Sequence, residues 1–138
     1  MGMTRIENWD LRLVEAIESA REEVYVLGAH DCFHFSCSCI EAICGIDLWA
    51  PWAGRYSTKR EARKLILEYD RAGFTAAFSK LFDTEPIPAK LARRGDVLEY
   101  RDDDAHLGVC VGSHAAVLGQ TGLLFMPLAN CLHAWRIG

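Results

Sequence analysis

The sequence predicts an α+β domain, with helices gathered in the first part of the chain and an antiparallel sheet in the second. Two changes along the chain carry this reading. Apolar residues recur at three- and four-residue intervals as far as Phe82, and from Val97 onward they recur at two-residue intervals. Between the two regimes stand Pro86 and Pro88, which suit neither a helix interior nor a central strand.

The first helix is expected to start near Asn8 or Asp10, either of which can cap it, and to run to about Glu23. Trp9, Leu13, Ile17 and Ala20 give it one apolar face, and Glu18, Arg21 and Glu22 lie off that face. Next comes a short extended run, Tyr25 to Gly28, and a tight connection through His30 and Asp31. A second helix follows from about Asp31 to Cys44, with Gly45 as its C-cap. Phe33, Phe35, Ile40, Ala42 and Ile43 make it apolar on most sides, so it belongs in the middle of the domain. The stretch from Asp47 to Tyr56 holds Pro51, Gly54 and two tryptophans and reads as an ordered loop packed by its aromatics.

Thr58 and Glu61 have the spacing of a capping box, and Ala62, Leu65, Ile66 and Tyr69 form the stripe of a third helix that Gly73 ends. A short fourth helix, near Thr75 to Phe82, packs Phe78, Leu81 and Phe82. Strands are then expected near Val97 to Arg101, Leu107 to Val111, Ala115 to Gly119, Leu123 to Met126 and Ala134 to Ile137, joined by short turns into a meander. No repeat, low-complexity tract or second domain boundary interrupts residues 1–138.

Composition excludes some functions. A chain of 138 residues, 51% of them apolar, can bury a core without disulfides or metal. A formal charge of −4 and the lack of a basic stripe beyond Arg93, Arg94 and the mixed segment Lys59 to Lys64 argue against a nucleic-acid partner. No run reaches the length of a membrane span, and the first ten residues have no apolar signal core. Synthesis in a reducing cytosol is therefore expected, where six cysteines are thiols rather than bridges.

The chemistry centres on Cys32. A cysteine in the first turn of a helix meets free backbone N–H groups and the positive end of the helix dipole, which stabilise a thiolate and lower its pKa. It becomes a nucleophile if a histidine approaches, and His106 enters a predicted strand directly after Asp102, Asp103 and Asp104.

YVLGAHDC is similar to the Tyr-x-x-Gly…Asp-Cys signature of the NlpC-type cell-wall cysteine peptidases, which have a compact papain-related fold. ARRGDVLEY followed by HLGVCVG looks like the Pro-Gly-Asp strand and the His-x-Gly strand of that superfamily, with Arg94 in the proline position. From Trp9 to Ile137 the chain also resembles a phage-associated family of unknown function related to those peptidases, through its Gly-x-His-Asp-Cys helix, its Gly-Arg-Tyr loop and its Ala-Trp-Arg end.

The resemblance implies an NlpC-like fold, with a central cysteine-bearing helix packed on the sheet. It implies Cys32 as nucleophile, His106 as general base, Asp31 as the acid that fixes the turn, and Tyr25 near the thiol. A third polar residue should follow the histidine by about a dozen positions; that register falls on Leu118, with Gln120 and His114 the nearest polar side chains. The implied setting is a phage virion tail, with tail-tip neighbours such as the hub and central fibre as partners and peptidoglycan as a possible substrate. In one reading the chain cuts a peptide amide there, and in the other it is a catalytically inactive structural component.

A metal or iron–sulfur module is the third reading. His30 and His34 flank Cys32 and invite a metal, and Cys37, Cys39 and Cys44 suggest a cluster. On a helix, Cys37 and Cys44 share a face about 10 Å apart while Cys39 points away, so the cysteines read as core fillers. Cys110 and Cys131 read the same way, and Trp49, Trp52 and Trp135 as packing residues. The expectation is accordingly no cofactor and no metal.

Overall fold

The computed structural model describes residues 3–138. Four helices precede a six-stranded antiparallel sheet: α1 (Trp9–Ala20), α2 (Cys32–Cys44), α3 (Lys59–Tyr69), α4 (Phe74–Phe82), β1 (Ile87–Pro88), β2 (Val97–Arg101), β3 (Ala105–Cys110), β4 (His114–Gly119), β5 (Gly122–Pro127) and β6 (His133–Trp135). The α+β expectation holds. None of the helices among the described residues is long and apolar enough to cross a membrane.

α2 is the hub. Asp31 caps it by accepting the His34 N–H at 2.8 Å, and Gly45 ends it at φ 72°, a conformation that needs no Cβ. Phe35, Cys37, Cys39, Ile40, Ile43 and Cys44 are all buried, so the cysteines are core residues, and all six in the chain are free. α1 lies against α2 through Leu13 and Ile17. It stops at Ala20 rather than near Glu23, and Asn8 sits at its start in a left-handed conformation without a side-chain cap.

Thr58 Oγ1 caps α3 as expected, and Glu61 reaches back to accept the backbone N–H of Ser57 at 3.0 Å. No residue of α3 is fully buried. Its apolar stripe half-covers a cleft instead of entering the core. Gly73 serves as the start of α4 and not as the end of α3, which is capped by Asp70.

The strand order is β1-β6-β2-β3-β4-β5. β2 to β5 form the predicted meander, but β6 leaves it and returns to pair with β2, Val97 opposite Trp135. Trp135 is fully buried, edge-on to Phe82, and its indole N–H donates to Ser79 Oγ at 2.9 Å, so α4 draws the last strand to that side. β1, not foreseen, is a two-residue edge strand, where Pro88 is tolerated.

The sheet buries both faces. Val97, Leu107, Val109, Ala116 and Trp135 face the helices, and Leu98, Cys110, Ala115, Val117 and Ala134 form a second cluster behind. Near the two chain ends, Arg5 donates to the carbonyls of Ile137 and Arg94 and to the buried carboxylate of Asp96, which also accepts the Arg93 and Ile137 N–H groups.

Candidate functional site

The start of α2 is held by a compact polar knot. Between Val26 and His30 the chain closes on itself, Val26 N–H donating to the His30 carbonyl and His30 N–H to that of Val26. Gly28 occupies this turn at φ 89°, and a Cβ there would lie 2.2 Å from the Tyr56 carbonyl oxygen. Only glycine fits. Asp31, 2% exposed, accepts from Gly28 N–H at 2.9 Å and His34 N–H at 2.8 Å and from the Tyr56 hydroxyl at 2.5 Å. One carboxylate thus ties the turn, the helix start and the aromatic loop together. Burial first, and then the Asp31 hydrogen bond, raise the Tyr56 hydroxyl far above its ordinary range, so it remains a donor.

Cys32 opens on a cleft of about 440 Å³ between α2, α3, α4 and the β2–β3 turn. Burial opposes the low pKa expected at a helix start. Burial pushes the thiol up to about 12, and the Asp31 charge adds to the rise. The N–H groups of Leu107 and Phe33 favour the thiolate but do not offset the loss of water.

His106 lines the same cleft. Its ring stacks on Tyr100, with centroids 5.1 Å apart, and Nε2 lies 2.9 Å from Asp102 Oδ1. The pleat explains this placement. Leu107 and Val109 point to the helices, so His106 and its cross-strand partner Tyr100 turn to the opposite face. Among the described residues no hydrogen bond joins His106 to Cys32, and Cys32 packs with the helix-facing core.

The remaining predicted residues divide. Tyr25 lines the cleft, its hydroxyl pushed up to about 12 by burial with the charges of Cys32 and Asp31 adding. Gln120 is exposed in the β4–β5 turn and meets this region only through its carbonyl, which accepts the Tyr25 N–H at 3.1 Å. His114 is exposed at the other end of β4, bonded to Ser113 Oγ at 2.9 Å, and does not line the cleft. Neither supplies the third polar residue, and Leu118 in that register is buried. The group that orients His106 is Asp102, on the turn before the strand.

Sequence reasoning missed two groups here. Tyr56 gave a signal only as part of a loop motif, since its bond to Asp31 spans 25 positions. Glu99 is fully buried in β2, where its carboxylate takes hydrogen bonds from Thr75 Oγ1 at 2.7 Å and Arg101 Nε at 2.9 Å and lies 2.8 Å from His133 Nε2. At the mouth of the cleft Lys59, at the start of α3, pairs with Asp104 in the β2–β3 turn at 2.8 Å. The loop tryptophans do pack: Trp49 sits edge-on to Phe33 and Tyr56, and Trp52 against Tyr69. Residues able to hold a metal are Glu23, His30 and His34, each with a ligand atom within 4.8 Å of the others.

A family model described as "Domain of unknown function (DUF6950)" matches residues 4–137. The fold and cleft are therefore those of a domain class defined by sequence and not by activity. The chain belongs to the DUF6950 family. No curated protein matches it.

Proposed function

We propose that the chain is a structural component of a phage or prophage tail tip, built on an NlpC-like fold whose cysteine cleft is not a turnover site in the isolated protein. The location rests on the resemblance of the Gly-x-His-Asp-Cys helix, the Gly-Arg-Tyr loop and the Ala-Trp-Arg end to a phage-associated family. One observation supports the loss of catalysis: His106 Nε2 is engaged by Asp102 at 2.9 Å, and among the described residues it makes no hydrogen bond to Cys32. A general base must reach the proton it removes, directly or through one water. Burial, which pushes the Cys32 thiol up to about 12, opposes thiolate formation and supports the same reading.

A second reading has its own support. Cys32 and His106 share one cleft, and Asp102 supplies an orienting carboxylate. If neighbouring tail proteins turned His106 toward the thiol, Cys32 could attack a peptide amide of peptidoglycan, with His106 accepting the thiol proton and returning it to the leaving amine. The two readings separate in the phage that encodes the chain. Mass spectrometry of purified virions should find the protein in the tail, and Cys32→Ser should leave tail assembly and infectivity intact. Infectivity lost in Cys32→Ser, together with Cys32-dependent release of muropeptides by virions, would establish the enzyme. Absence of the protein from virions would remove the tail assignment.

A further inference from the structure

We propose that Glu23, His30 and His34 form a binding site for a borderline divalent transition-metal ion, with zinc the expected occupant. The three residues come from separate pieces of chain. Glu23 follows the end of α1, His30 closes the Val26–His30 turn, and His34 lies in the first turn of α2. Their ligand atoms all fall within 4.8 Å of one another. A tetrahedral zinc with bonds of about 2.0–2.2 Å spaces its ligands by roughly 3.4 Å. Small side-chain rotations of these partly exposed residues close that difference.

The donor set selects the ion. Two imidazoles and one carboxylate suit zinc, cobalt, nickel or copper, whereas calcium and magnesium prefer all-oxygen shells. Glu23 and His30 already meet through the His30 Nδ1. His34 is the unexplained member: neither ring nitrogen makes a hydrogen bond among the described residues. Yet its ring is fixed edge-on to both His30 and Trp49, with centroids 5.3 and 5.1 Å away. Its backbone is held as well, by the N–H bond to Asp31. The helix start disfavours a cation, and the Glu23 carboxylate offsets that. A bound ion would clasp the exit of α1 to the start of α2, across the segment that carries Cys32, and would keep one coordination position open to solvent. This inference does not depend on the tail-tip reading.

The test is titration of the purified full chain with cobalt(II) chloride, followed by displacement with zinc chloride. One equivalent of cobalt should give visible bands of a four- or five-coordinate site without the intense near-ultraviolet bands of thiolate ligation, and one equivalent of zinc should remove them. Glu23→Gln, His30→Ala and His34→Ala should each weaken binding by about tenfold or more. Zinc should raise the melting temperature of the native protein and not of His34→Ala. In case a variant folds poorly, copper(II) added to the native protein should broaden amide resonances centred on residues 23–34. No cobalt spectrum, thiolate bands, binding unchanged in His34→Ala, or broadening centred elsewhere would each overturn the site.

Discussion

Replacing Tyr56 by Phe isolates one hydrogen bond at the point where the cleft is assembled. The hydroxyl donates to Asp31 Oδ2 at 2.5 Å, and Asp31 is 2% exposed. The phenyl ring remains and keeps its edge-on contact with Trp49, so only the donor is lost. A hydrogen bond to a buried carboxylate contributes about 1.5–3 kcal/mol. Asp31 retains the N–H groups of Gly28 and His34, which places the expected loss near the middle of that range, at about 2 kcal/mol. For a domain of this size that corresponds to a fall of about 8 °C in Tm. Urea unfolding followed by circular dichroism gives the free energy directly, provided the slope m is unchanged. Tyr25→Phe is the matched control: the Tyr25 hydroxyl makes no hydrogen bond among the described residues, and its removal should cost under about 0.5 kcal/mol. Equal, small losses in the two variants would refute the claim that Asp31 is stabilised by Tyr56.

Two further outcomes follow from burial and backbone geometry. Cys39 is fully buried and its thiol is pushed up to about 12 by burial alone, while an unfolded thiol titrates near 8.5. The folded state holds the proton longer, so this stability is fully present below the unfolded pKa and is lost as pH rises from there toward the folded value, by about 1.4 kcal/mol per pH unit per thiol. Unfolding free energies measured from pH 8 to 11 should decline, and Cys39→Ala should remove about one proton from the slope; an identical slope in the variant would count against the assignment. Gly28→Ala should cost about 3 kcal/mol or more, because its Cβ would collide with the Tyr56 carbonyl and φ is positive. Gly54→Ala, also at positive φ but with nothing within 4 Å, should cost only about 1 kcal/mol. Similar melting temperatures for the two alanine variants would contradict the close approach.

The parts of this fold legible in the sequence are those fixed by neighbours in the chain. Gly45 ending α2 and Thr58 starting α3 are three- or four-residue relations, and both are realised. What was not legible depends on partners far away. β6 pairs with β2 because Trp135 packs against α4, and Asp31 is completed by Tyr56, 25 residues on. The helix-start argument for Cys32 was correct in its local term. It was outweighed by burial, which only the packed structure supplies.

The placement of His106 shows a different limit. A strand with one wet face announces its phase, since apolar and polar residues alternate and a one-residue slip would expose the core. β3 gives no such signal, because residues 107 to 110 are buried on both faces, with Leu107 and Val109 toward the helices and Cys110 behind. Either phase satisfies its hydrophobic pattern. A His-x-Gly spacing therefore locates the histidine along the strand without saying on which side it emerges. Here the phase is set by helix-side packing around Leu107, and the imidazole lies against Tyr100 and Asp102. For that reason a cysteine and a histidine at the right spacing are weaker evidence of catalysis in this chain than they would be on a strand with one exposed face.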